Sequence, residues 1–420
     1  MPSVLDSEKS TGLCCGCGVC AGLCPFNSLV LQWNQAGEYQ PVFISDCKNC
    51  GICLSVCPFE NNNPNEDDIG QDLFSIIPSI HHRKETGYYL QSYVGHMISD
   101  EDRWNSASGG LATWFLTELM KRDIVDKVIC VRKSSSPDKL YEFFVAETIE
   151  DVKSASGSAY YPTEMSGVLK EILQNHKRYA VIALPCFVKA LRLAQRKSKH
   201  LSERIVCIAS LTCGHMKSTE FTKHIAEMSG LNEDIQSVHY RTKSLERPAN
   251  LFSFDYVGVE GNTASRIWNE GIGGLWASDE YTVPACNFCD DIFGECADVT
   301  FMDAWLPEYI SDPRGTSLCI VRSELAESIF QNSNAISISP ISIDKIIQSQ
   351  RGVIQNKREM LSYRLANLNN NAPNKRVKPV PFHGIFLICW IKVRKIVGFI
   401  FSKFLRFKIY IQFAINHLLR

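Results

Sequence analysis

The sequence has no aspartate or glutamate after Glu359, although eleven lysines and arginines follow it. The chain up to Glu359 thus carries all 45 acidic residues but only 33 of the 44 basic ones. A net charge of −1 hides an acidic body of about −12 and a basic tail, an asymmetry that points to a tail with its own partner. No secretory leader is expected either. Met1–Thr11 is polar and holds Asp6 and Glu8 where a leader needs an apolar run. In the apolar last segment, 382–420, Lys392, Arg394 and Lys395 break any run of ~20 apolar residues, which excludes an ordinary membrane span. Otherwise the composition is that of a globular protein, and 420 residues suggest two to three domains. No nucleic-acid partner is expected.

Eighteen cysteines stand out against this background. Cys14, Cys17, Cys20 and Cys24-Pro25 read C-x2-C-x2-C-x3-C-P, and Cys47, Cys50, Cys53 and Cys57-Pro58 repeat the run. This is the spacing of a two-cluster bacterial-type ferredoxin, in which the fourth cysteine of each run ligates the other run's cluster. One 4Fe-4S cubane is expected on Cys14, Cys17, Cys20 and Cys57, and a second on Cys47, Cys50, Cys53 and Cys24. Structural zinc also uses C-x2-C pairs, but it wants two pairs per site rather than matched triplets with an offset Cys-Pro. Cys15 fits no ligand register and reads as a bystander. Thiols at cluster spacing without a leader predict a reducing cytoplasm rather than a disulfide framework.

The chain divides on composition into a cluster domain at 1–62, a linker at 63–92, a core at 93–368, a second linker at 369–381 and a basic segment at 382–420. Glu60–Asp72 is acidic and Asn-rich and reads as a linker or long loop. Strands are expected at Tyr93–Ile98, Val125–Val131, Tyr141–Ala146, Tyr179–Leu184, Ile205–Leu211, Ile235–Arg241, Leu251–Val257 and Val299–Met302. Helices are expected at Leu111–Lys121, Glu164–His176, Val188–Lys197 and Lys217–Ser229. The fold class is therefore α/β: a small α+β, ferredoxin-like cluster domain, an alternating strand–helix core, and a C-terminal helix.

Four more cysteines sit at telling places. Cys186 follows a strand and opens a helix, Cys213 ends the next strand, and Cys286 and Cys289 form C-x2-C in a loop. Ligands of open α/β sheets gather at the carboxyl ends of strands, so the four could converge on a metal. Structural zinc, a redox disulfide pair and buried inert thiols are the alternatives. Cys130, Cys207 and Cys319 lie in apolar strands and read as inert. Cys296 follows the C-x2-C by seven residues and could compete as a ligand.

Taken together, these residues resemble a known family. Ser106-x-Ser108-Gly109-Gly110, Gly157-Ser158-x-Tyr160, Leu184-Pro185-Cys186 and Leu211-Thr212-Cys213-Gly214-His215 are followed by Cys286-x2-Cys289, Ala297-Asp298 to Asp303-Ala-Trp305 and Gly315-Thr-Ser317. Order and spacing are similar to those of the family of coenzyme F420 (deazaflavin) hydrogenase and dehydrogenase beta subunits over residues 10–350. That family includes chlorophyll-pathway reductases and bacterial members associated with polysaccharide synthesis. The resemblance implies an iron–sulfur oxidoreductase with FAD and a third 4Fe-4S cluster on Cys186, Cys213, Cys286 and Cys289, leaving Cys296 out. It also implies flavin contacts at Ser108, Gly109, Gly110, Gly157, Ser158 and Tyr160. Near the flavin, the candidate acid–base groups are His215, Asp303 and Tyr160. Each has a plainer role open to it: capping the Cys213 loop, holding a turn, or packing. The family often has lysine between the serine and tyrosine of the second motif; here Ala159 stands there, and a point charge near the flavin is lost.

The reading is a redox relay between a ferredoxin-type or deazaflavin carrier and a substrate. Two rivals differ in class: an electron-transfer subunit without its own substrate that serves a membrane-associated partner, and a reductase in polysaccharide or lipid-linked sugar synthesis. At about 100° per residue, Lys392, Lys395, Lys403 and Arg406 fall within about 80° of one another. A helix over 382–420 would thus suit a membrane interface or a partner subunit. The expected location is cytoplasmic, or peripheral at the inner face of the membrane.

Overall fold

The computed structural model describes residues 3–331, 333–366 and 376–378. The expected helix at 382–420 and most of the second linker lie outside the described residues.

The cysteine runs fold around a hairpin of β1 (Leu29–Trp33) and β2 (Tyr39–Phe43), paired antiparallel with Leu29 opposite Phe43. Their sequence repeat is also a structural one. Gly18 and Gly51 stand between the second and third cysteine of each run, take left-handed conformations (φ 77° and 74°), and start the short turns Val19–Gly22 and Ile52–Ser55. That conformation carries little penalty only for glycine.

Glu60–Asp72, expected as linker or loop, contains a helix, Glu66–Phe74. Asn65 accepts from Asp67 N and Asp68 N at 2.8 and 3.0 Å, and Asp68 returns a bond to Asn65 N at 2.9 Å. This reciprocal cap, with Ile69 and Phe74 buried, outweighs the polar composition. A short hairpin of β3 (His81–Arg83) and β4 (Gly87–Tyr89) follows.

The core contains β5 (Gln91–Met97), β6 (Lys127–Lys133), β7 (Tyr141–Ala146), β8 (Tyr179–Ala183) and β9 (Ile205–Leu211). A separate antiparallel sheet has β10 (Ile235–Thr242), β11 (Ser253–Gly258) and β12 (Thr263–Ile267). Returning to the main sheet are β13 (Val299–Asp303), β14 (Ser317–Val321) and β15 (Ile336–Pro340), giving the order β15-β5-β14-β13-β9-β8-β6-β7. The central β6, β8, β9 and β13 are parallel, and the flanking pairs are antiparallel. Along a strand, side chains alternate between faces. Ile129 therefore joins Phe187, Val188 and Leu191 of the helix Pro185–Lys197, while Val128 and Cys130 join Trp114, Phe115 and Leu119 of the helix Leu111–Lys121. The architecture is the expected α/β class.

The cysteine-rich N-terminal part and the core share one apolar interior: Leu13, Val19 and Val56 pack with Met165, Val168, Leu169 and Phe187. Met165 N donates to Cys17 O at 3.0 Å, and Thr219 N donates to Gly37 O at 2.9 Å. Among the described residues, no helix is long and apolar enough to cross a membrane.

Candidate functional site

The first-run thiols lie near their expected partner from the second run. Desolvation pushes the Cys14 thiol up, and Cys17 and Cys57 add to the rise. Cys20 moves the same way, by desolvation first and then through Cys17, Cys14 and Cys57. Cys57 is pushed up to about 12, mainly by desolvation. Cys24, Cys47, Cys50 and Cys53 line one pocket with Phe26 and Phe43. Phe26 and Phe43 are exposed there, as is Cys50.

At the core, β8 and β9 run side by side with Ala183 opposite Ser210. Cys186 and Cys213, just past their carboxyl ends, therefore come to the same sheet edge. The C-x2-C loop is drawn onto it by Val283 N to Met216 O at 3.0 Å and Cys213 N to Ile292 O at 3.0 Å. Met216 N donates to Cys286 Sγ at 3.2 Å. Desolvation raises the Cys213 thiol to about 12, with Cys186 and Cys289 adding to the rise and Lys357 opposing it. Cys289 goes to about 11 by desolvation, with Lys357 opposing and Cys186 adding.

Among the described residues, no three or more His, Cys, Asp or Glu close around a single metal ion. Thiolates on one zinc share a metal at about 2.3 Å, whereas those of a cubane each bind a different iron.

Cys15, read as a bystander, is buried at 3% exposure, with the thiols of Cys17 and Cys186 as its neighbours. Cys296 is fully buried, with Glu66, Asp291, Lys189 and Glu295 as its charged neighbours. Its carbonyl takes Arg192 Nε at 2.9 Å, and Arg192 also pairs with Asp298 at 2.8 Å. Asp298 accepts Ile208 N from β9, so it acts as a staple between helix and sheet.

The three acid–base candidates converge. Asp303, the last residue of β13, holds Arg241 of β10 by two bonds of 2.7 Å. Tyr160 is an electrostatic neighbour of Arg241. Desolvation works against the guanidinium charge, but Asp303 and Tyr160 outweigh it and hold the pKa up. The Tyr160 ring lies 4.8 Å from Trp276, which lies 4.5 Å from the His215 ring. Desolvation, with Lys217 and Lys357 behind it, pushes the His215 pKa down to about 3. Arg241 sits 5.3 Å from the Trp305 ring. His215 Nε2, Arg241 Nε and Thr212 Oγ1 are buried without a hydrogen-bond partner among the described residues. Ordered polar groups of that kind call for an occupant.

The glycine motif is tightly packed. A Cβ on Gly109 would meet Gly95 O at 2.6 Å and Ser317 N at 2.7 Å. Gly110 caps the helix Leu111–Lys121 with φ 86°. Ser108 donates to Thr316 O at 2.8 Å. Lys243 ties the segment down, donating to Arg103 O, Ser108 O and Arg314 O at 2.7, 3.0 and 2.6 Å. Gly157 has φ 128° with nothing near its missing side chain, and Ser158 bridges to Tyr240. Arg241, Lys243, Trp276 and Lys357 were missed by sequence reasoning. None sits in a spaced motif, and only the tertiary fold brings Lys357 to the quartet, Arg241 and Trp276 to Tyr160, and Lys243 to Ser108.

Residues 93–170 match the model for coenzyme F420 hydrogenase/dehydrogenase, beta subunit N-term, and residues 176–343 match its C terminus. Together the two halves span more than half of the chain, in order. The chain belongs to this family of beta subunits. It is similar to a subunit of the F(420)H(2) dehydrogenase of Methanosarcina mazei, 22% identical over 236 residues, which are 55% of this chain and 60% of that protein. It is also similar to the beta subunit of the F420-dependent formate dehydrogenase 1 of Methanococcus maripaludis, 34% identical over 108 residues, 25% of this chain and 27% of that one. The chain thus spans under two thirds of either relative's length. A chain of the F420-reducing NiFe hydrogenase complex from Methanosarcina barkeri shares the fold at a TM-score of 0.54 and 17% identity, covering 70% of this chain and 99% of that chain.

Proposed function

We propose that this member of the family is an iron–sulfur flavoprotein oxidoreductase, relaying electrons between a deazaflavin or ferredoxin-type carrier and a substrate. The observation that carries it is the convergence of Cys186, Cys213, Cys286 and Cys289 at one sheet edge, linked by Cys15 to the N-terminal runs and flanked by the His215–Trp276–Tyr160–Arg241–Asp303 group. The donor set is all thiol, which suits a cubane. Cys14, Cys17, Cys20 and Cys57 would hold one cluster, Cys24, Cys47, Cys50 and Cys53 a second, and the core quartet a third. Trp276, Tyr160 and the orphaned Nε atoms of His215 and Arg241 offer ring faces and hydrogen bonds that suit FAD. When bound, the clusters supply one-electron transfer and the flavin joins it to two-electron chemistry.

The protein's own part is placement. Arg241 stands as a fixed cation near the position where the family often has lysine and this chain has Ala159, and Asp303 orients it. Tyr160 presents a hydroxyl whose pKa is raised by burial, so it stays protonated and can donate a proton. His215 stays neutral and offers a ring nitrogen without taking up charge.

A second reading is favoured by one finding: these relatives are named as subunits or belong to a complex. In it the chain passes electrons to a partner and has no substrate of its own. Turnover of a small molecule by the reconstituted chain alone supports the first reading, and its absence the second.

Anaerobically purified protein is expected to hold about twelve irons with flavin. Cys186→Ala or Cys213→Ala should remove about four irons and leave the N-terminal eight. Unchanged iron in both variants refutes the ligand assignment.

A further inference from the structure

Residues 351–366 form a helical arm that grips the C-x2-C loop through three basic side chains. Arg364 Nε donates to Asn287 O at 2.7 Å, and Arg358 Nε to Asp290 O at 3.1 Å. Between their targets, Lys357 reaches Cys289 Sγ at 3.3 Å, Cys213 O at 3.3 Å and Asp291 O at 2.7 Å. Lys357 is 3% exposed and lies on a widened π-type turn, Gln355–Glu359. Such turns cost regular hydrogen bonding and recur at functional sites.

The surroundings of this ammonium are unusual. Two of its acceptors are backbone carbonyls and the third is a thiol, and among the described residues no carboxylate oxygen hydrogen-bonds it. Asp291 turns its carbonyl to Lys357, while its carboxyl accepts Glu295 N at 3.3 Å. A buried charge without a contacting counter-charge is expensive. The anionic partner that fits is the sulfur of the quartet itself.

We propose that Lys357 is a tuning residue for the core redox centre, its fixed positive charge favouring the more negative, reduced state of whatever the quartet binds. This rests on the cluster reading of Cys186, Cys213, Cys286 and Cys289. A cation against a ligand sulfur lowers the energy of the reduced form more than that of the oxidised form, because reduction adds negative charge. Hydrogen bonding to sulfur is a recognised lever on such potentials.

The test is a redox titration, read by electron paramagnetic resonance, of the full-length protein, Lys357→Met and Lys357→Arg, with iron counted in each. Lys357→Met is expected to keep the iron count while its core signal becomes harder to reduce by about tenfold, or about 59 mV for one electron. Lys357→Arg should stay close to the wild type. The N-terminal signals should not move. A Lys357→Met protein with full iron and an unshifted core potential overturns the inference. Loss of four irons in both variants also overturns it, because the position would then serve shape rather than charge. Loss in Lys357→Met alone, with Lys357→Arg retaining iron and potential, also overturns it, because the charge would then hold the centre in place rather than set its potential. A wild type with only eight irons overturns the cluster reading itself, and the count separates that failure from the others.

Discussion

His215 follows Cys213 by two residues, and sequence alone made it an acid–base candidate. In the fold its Nε2 is buried and its ring lies on Trp276. Desolvation depresses its pKa to about 3, far from the value a general base needs near neutral pH. Asp303 and Tyr160, by contrast, are tied together through Arg241. The depressed pKa has a sign that can be measured. The unfolded chain takes up a proton near 6.5, and the folded chain does so only near 3. Stability is therefore lost as pH falls through that window, at up to about 1.4 kcal/mol per unit. Melting temperatures between pH 7 and 4 should fall more steeply for the wild type than for His215→Phe. Parallel curves would contradict a buried neutral imidazole.

At the scale of elements, the regular pieces were legible and the acidic and basic pieces were not. β7, β9 and the helix Leu111–Lys121 match their expected bounds, since each carries a clean apolar period. β12 and β15 lacked one: TASRI and ISISP are edge strands facing solvent on one side. The helix Glu66–Phe74 was hidden by its acids, and so was their purpose. Arg376, in a stretch that reads as linker, places its guanidinium 2.7 Å from Asp290, 2.8 Å from Glu295, 3.2 Å from Asp67 and 3.6 Å from Glu66. No local pattern announces a buried arginine whose partners lie about 80 and 310 positions away. Arg376→Met leaves Asp290 and Glu295 buried without it. The expected loss is about 3–5 kcal/mol by chemical denaturation. A loss below about 1 kcal/mol, the range of exposed pairs, would mean that the pocket is wet.

On the scale of the whole molecule, the cysteine spacing announced the first eight thiols, and the strand-end placement of the other four was visible as a pattern. What the chain order could not convey is that the two groups share one interior. Leu13, Val19 and Val56 cover Val168, Leu169 and Phe187, so the cluster domain is no detachable module. Deleting residues 1–62 should expose that face. The truncated protein is expected to bind a hydrophobic dye and to melt at a lower temperature than the full chain. A well-behaved fragment of unchanged melting temperature would show two independent domains.

The arm that carries Lys357 also has a consequence for biosynthesis. On the ribosome, Cys186, Cys213, Cys286 and Cys289 are all made before residue 357 emerges. Until the arm folds down, the quartet is open on the side that Lys357, Arg358 and Arg364 later close. If the quartet binds a cluster as proposed, iron delivery to the core would have a natural window between synthesis of the C-x2-C loop and closure of the last helices. On that reading, a mature chain without its core cluster would have to lift the arm to take one up.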